Sequence, residues 1–167
     1  MRFTPAALAL SLLAAMTASV SLGAVHDPDP RAAALVAEGR AELSEGRTQA
    51  AIDSFEAALV VDPAFTDVYI DLAEAARAEG LQGKAIHYYR EAQERDPSNY
   101  AAISGEGAAL LEKGAIASAR RNLSRLESLC GEGCAETREL AAAIDRGPST
   151  TVLAAESVSP RDDVTKN

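Results

Sequence analysis

An all-α solenoid, built from three helix-turn-helix units and closed by a capping helix, is the fold class this chain predicts, on three observations. Pro63 and Pro97 stand 34 residues apart. Other residues recur at the same interval. Blocks 32–65, 66–99 and 100–133 align Gly39 with Ala73 and Gly107, Gly46 with Gly80 and Gly114, Ala51 with Ala85 and Ala119, Phe55 with Tyr89 and Leu123, and Ala58 with Ala92 and Leu126. Each block also holds two segments with apolar residues at helical spacing, and no alternating strand pattern competes.

The elements follow in chain order. In the first block Leu35, Gly39 and Leu43 share a helical face, and Gly46 ends that segment as a residue that tolerates the left-handed conformation. Thr48 opens the second segment, where Ala51, Phe55 and Ala58 form a stripe. Small residues at 39, 73 and 107 let paired helices approach, and the large side chains at 55, 89 and 123 fill the space beside them. Asp62-Pro63 and Asp96-Pro97 stop the second helices, because proline cannot continue the hydrogen-bond ladder and disfavours helix in the residue before it. Ala51, Phe55, Ala85, Tyr89, Ala92, Ala119 and Leu123 are the expected buried positions. The second block departs from the pattern at Gln93, which stands where the first has Leu59 and weakens an apolar contact. In the third, Gly131 replaces the proline and Leu126 the small residue. Residues 134–146 carry Leu140 and Ile144 on one face and charge on the other, as a terminal cover for the stack requires.

The order of small residue, glycine, alanine, aromatic, alanine and proline at a period of 34 resembles the tetratricopeptide repeat, over roughly residues 32–133. The resemblance implies a right-handed superhelix whose concave surface is lined by the first helix of each pair. Carried onto this sequence, it places Ala33, Val36, Arg40 and Leu43 there, with Asp67, Ile70, Asp71, Glu74 and Arg77, and with Ala101, Ser104, Ala108 and Leu111. The best-known ligand mode of the family clamps a peptide carboxylate with lysine, asparagine and arginine. Here those places hold Val36, Arg40, Asp71, Ala101 and Gly105, so that clamp is not expected. The remaining groove is mixed, with Val36, Leu43, Ile70 and Leu111 apolar and Arg40 and Arg77 available to anchor acidic or backbone groups. It suits an extended or helical protein segment.

Flanking segments point to export. Arg2 followed by an apolar stretch from Ala6 to Val20 and small residues at Ser21 and Gly23 reads as a signal peptide over 1–23, cleaved after Gly23 or Ala24. The competing reading is a membrane anchor, through an uncleaved leader only. It is disfavoured because the run is short and alanine-rich and Asp27-Pro28-Asp29-Pro30 follows it at once. Residues 24–31 read as a linker containing a mobile His26, and 147–167, rich in Ser, Thr and Asp, as a disordered tail. The net charge of −9, which becomes −10 when the leader and its Arg2 are removed, argues against nucleic acid and anionic lipid as partners.

Cys130 and Cys134 are the only cysteines, in the segment Cys-Gly-Glu-Gly-Cys. In an exported protein such a close pair favours a disulfide that pins the cap. A redox-active dithiol is the sharper alternative, although three residues intervene rather than the usual two. A metal site would need further ligands, and His26 and His87 are not spaced to supply them. No active site assembles: Gly105-Glu106-Gly107 has no preceding strand pattern or third glycine of a phosphate loop, and Asp67, Asp71 and Glu74 share an exposed helical face. No cofactor and no small-molecule substrate are expected. The functional expectation is a non-enzymatic periplasmic interaction module of a Gram-negative bacterium that binds a protein or peptide and helps assemble an envelope complex. A thiol-disulfide helper acting through Cys130 and Cys134 is the alternative.

Overall fold

The computed structural model describes residues 26–147. The leader over 1–23 and the tail from 148 onward lie outside the described residues. Among the described residues seven helices follow one another: α1 (Pro30–Ser44), α2 (Thr48–Val61), α3 (Val68–Ala78), α4 (Gln82–Arg95), α5 (Tyr100–Glu112), α6 (Ile116–Cys130) and α7 (Ala135–Arg146). Helices α1 and α2, α3 and α4, and α5 and α6 pack as pairs, and α7 covers the last pair by touching both of its members.

One turn is repeated three times inside the pairs. Gly46, Gly80 and Gly114 have φ of 77°, 73° and 84°, a left-handed backbone that a side chain would strain. Beside each, the residue after the glycine donates its N–H five positions back, from Arg47 to Glu42, Leu81 to Ala76 and Ala115 to Leu110. These bonds satisfy carbonyls that the ending helix leaves free. Between pairs, aspartate side chains hold the turns. Asp62 Oδ1 accepts the Ala64 N–H at 3.1 Å, and Asp96 Oδ1 accepts the Ser98 N–H at 3.0 Å.

The glycines on helices are explained by what they touch. A Cβ on Gly39 would come within 2.5 Å of the Phe55 ring, so that pair packs as its columns imply. The third block departs from the expectation. Gly107 receives Leu140 of α7 rather than Leu123, with 2.5 Å left for a Cβ, and Leu123 is only half-buried while Leu126 is fully buried. Among the described residues the short α7 is what packs on this block, and it supplies the large side chain from a different angle. Leu140 closes a small terminal cluster with Ile103 and Leu126. The other expected core positions, Ala51, Phe55, Ala85, Tyr89, Ala92 and Ala119, are buried.

Two further readings are corrected. The helix begins at Pro30 inside the supposed linker, capped by Asp29, which accepts the Arg31 N–H. His26 is held at the first corner, its Nε2 2.7 Å from Asp62 Oδ2, an oxygen that also accepts the Asp29 N–H at 3.0 Å. Gln93 is not a weakened apolar contact. It is buried, donates to Glu106 at 2.9 Å and accepts from Arg125 at 2.7 Å. Asn122 Nδ2 and Arg90 Nε also donate to Glu106, and Arg125 reaches on to the Pro97 carbonyl. A polar seam thus joins α4, α5 and α6. Among the described residues, no buried side-chain polar atom lacks a partner.

Cys130 at the end of α6 and Cys134 just before α7 form a disulfide, with Cα atoms 5.7 Å apart. The loop it closes is short, so the entropic gain is about 2 kcal/mol. Its position ties the cap to the last repeat.

Candidate functional site

Helices α3, α5 and α7 leave a cavity of about 610 Å³ between them. Its floor is smooth for a sequence reason. Ala101, Gly105 and Ala108 recur every three or four residues along one face of α5, and none extends a side chain beyond a methyl group. Gly105 is fixed by packing, since a Cβ there would lie 2.3 Å from the Tyr89 ring that passes beneath it from α4. Ile70 and Leu111 supply apolar walls, Leu111 with only its edge exposed. Ser104 also lines the space, and its hydroxyl donates to the Glu136 carbonyl at 3.2 Å, joining α5 to α7.

The charged residues around the floor are organised by Arg77. It donates to Glu112 through Nε at 3.3 Å and through Nη2 by a closer contact, and to both oxygens of Glu74 at 3.2 Å. Burial works to lower the pKa of this guanidinium, but Glu112 and Glu74 outweigh it and hold the group firmly protonated. Tyr89 donates its hydroxyl to Glu74 from below. Burial, and then the Glu74 carboxylate, push the phenol far above its ordinary range, so it remains a donor at any physiological pH.

Arg40 is likewise engaged, with two parallel bonds to Asp71 at 2.7 and 2.9 Å. Asp71 is the less exposed partner, and burial raises its pKa despite the guanidinium beside it. The reading of Arg40 and Arg77 as free anchors for acidic groups is therefore corrected. Both cations are already bound by carboxylates of neighbouring helices, pairings that span 31 and 35 residues of sequence.

Of the residues expected in the groove, Ile70, Glu74, Arg77, Ser104 and Leu111 line this cavity. Val36 does not: it is buried with Phe55 and Leu72 inside the first core cluster. Leu43 packs on the edge of that same cluster. Sequence reasoning missed the contribution of α7, where Glu136, Glu139, Ala143 and Arg146 form a whole wall. The signal was present, because Glu136, Glu139 and Ala143 stand three and four apart on one helical face.

Behind the floor, the polar seam carries a pH dependence. Burial acts to raise the pKa of Glu106, but bonds from Gln93, Arg90 and Asn122 bring it below the ordinary 4.5. A carboxylate depressed in the folded state contributes stability above its unfolded pKa and loses it as pH falls through the folded value. Stability from Glu106 is thus fully present above about pH 4.5 and drains below it. Urea melts in that acid range should show a smaller pH-linked loss for Glu106→Gln than for the native chain. Equal slopes would mean that the seam does not hold the carboxylate ionised.

Residues 36–100 match the tetratricopeptide repeat family. No curated protein matches the chain in sequence. Among solved structures, the Sgt2 tetratricopeptide-repeat domain of Aspergillus fumigatus is 24% identical with a TM-score of 0.64, over 84% of this chain and 92% of that one. The Yersinia enterocolitica type III secretion chaperone SycD, in complex with a peptide of the translocator YopD, is 22% identical with a TM-score of 0.60, over 74% and 91%. The second tetratricopeptide-repeat domain of human RPAP3, in complex with an HSP70 peptide, is 19% identical with a TM-score of 0.61, over 69% and 95%.

Proposed function

We propose that this chain, which has the tetratricopeptide-repeat solenoid fold, is a non-enzymatic interaction module holding a protein segment between α3, α5 and α7. The observation that carries the reading is the cavity itself, floored by Ala101, Gly105 and Ala108 and open along a helical face. It has the form of a trough for a chain, with apolar contact below and charge at the sides. SycD and RPAP3, which share the fold, each hold a peptide. The site of action we assign is the periplasm of a Gram-negative bacterium, in the assembly of an envelope complex. Support comes from the leader-like sequence around Arg2 and Ala6 to Val20, and from the Cys130–Cys134 disulfide, which suits an oxidising compartment.

The test is crosslinking and affinity capture from the envelope fraction with native protein and two variants. Ile70→Asp places a charge on the apolar wall, and Ala101→Tyr plugs the trough from an exposed position. Both should lose the captured partner. Ala101→Tyr should keep its helicity and change stability by no more than about 0.5 kcal/mol, as surface changes do. Full capture by both variants would move binding to another face, and recovery of the protein from the cytoplasmic fraction alone would refute the compartment.

A further inference from the structure

The charge around the trough selects its occupant. Four carboxylates line it, Glu74, Glu112, Glu136 and Glu139, against two guanidiniums, Arg77 and Arg146. Arg77 is consumed by Glu112 and Glu74, and the neighbouring Arg40 is consumed by Asp71. An incoming carboxylate could meet Arg146 only at the last turn of α7; along the rest of the trough it would have to displace one of these bonded pairs while facing Glu136 and Glu139. An incoming ammonium or guanidinium displaces nothing, because the α7 wall presents half-buried Glu136 and exposed Glu139 on its first two turns. The floor adds a second selection: Ala101, Gly105 and Ala108 present nothing polar beyond backbone, and the α5 hydroxyl that also lines the space, Ser104, is already bonded to the Glu136 carbonyl.

We infer that the trough takes a cationic segment of a partner protein, with lysine or arginine spaced among small apolar residues, and not an acidic peptide terminus. This rests on the proposed function and names the chemistry of its ligand. The cations lie along the α7 side toward Glu136 and Glu139, and the apolar side chains lie on α5 between Ile70 and Leu111. Complementary charge of this kind governs which partner docks and how its binding responds to salt.

Fluorescence anisotropy with three labelled peptides of equal length tests it: repeats of Lys-Ala-Leu-Ala, and the same peptide with every lysine changed to glutamine or to glutamate. The lysine peptide should bind at least about ten-fold more tightly than the glutamate peptide, with the preference shrinking as salt rises. Glu139→Lys should weaken the lysine peptide about ten-fold. Glu56→Lys, the same charge change on exposed α2, should not, which separates the trough from the acidity of the whole chain. Equal binding of the glutamine or glutamate peptide, or equal weakening by Glu56→Lys, overturns the inference. If those peptides bind equally and Ala101→Tyr abolishes all binding, the trough stands as a binding site and only its charge selectivity falls. If Ala101→Tyr changes neither peptide binding nor partner capture, the trough itself falls, and this inference with it. A synthetic peptide of residues 148–167 that displaces the lysine probe at lower concentration would make the chain's own tail the occupant. A dimer in sedimentation that Glu139→Lys dissolves would make it a second copy. Either result overturns a separate cationic partner.

Discussion

Tyr89→Ala is expected to destabilise the protein by about 3–5 kcal/mol, the range for removing a large ring from a packed interior. Tyr89 is completely buried, and its neighbours in the central cluster include Ala73, Ala85, Ala92 and Ala102, side chains too short to fill the space it would leave. The ring also supports Gly105 from below and orients Glu74 through its hydroxyl. A urea melt followed by circular dichroism measures the cost, and overlaid curves would refute the packing. Tyr89→Phe separates the two roles. It keeps the ring and loses only the bond to Glu74, whose side chain is 47% exposed and can turn to water. That change should cost no more than about 1 kcal/mol.

Leu140→Ala is the second large effect, about 2–5 kcal/mol. Leu140 is 1% exposed, lies in the hollow left by Gly107 and meets Ile103 and Leu126, so its loss opens a void where three helices join. The disulfide still tethers α7 through Cys134, so the helix should loosen without departing. Hydrogen exchange distinguishes this from global unfolding: amides of α7 should exchange faster than those of α1 and α2. Uniform acceleration along the whole chain would show that the cap is not a separable unit.

The architecture was legible because it repeats. Gly46, Gly80 and Gly114 mark three equal turns, and Phe55 against Gly39 is a contact between two columns of one block. What the columns do not encode is where the repetition stops. Leu123 inherits the aromatic column but only edges the last cluster, and Leu140, which belongs to no column, does its work against Gly107. The site was legible in the same proportion. Ile70, Glu74, Arg77, Ser104 and Leu111 follow from their positions on the first helices, whereas the α7 wall lies outside the period. Arg40 and Arg77 were misjudged for another reason. Each is neutralised by a residue of the next helix pair, and pairwise charge satisfaction across a helix stack depends on the distance between axes, which the period alone does not give.

A chain made of near-copies faces a problem of identity, since any block can in principle stack on any other, in its own molecule or in a neighbour. Gln93 and Glu106 settle it. One period earlier, the same two positions are Leu59 and Leu72, so the first junction is greasy where the second is polar. Were the second block's trailing helix laid against the second block's leading helix in another copy, Gln93 would meet Leu72 and lose Glu106 as a partner. Were the first block's trailing helix laid against the third block, Glu106 would be buried against Leu59, a mismatch of several kcal/mol. The seam works as a serial number at the second junction: it favours the second block's trailing helix meeting the third block's leading helix over stackings out of order, within one chain or between chains.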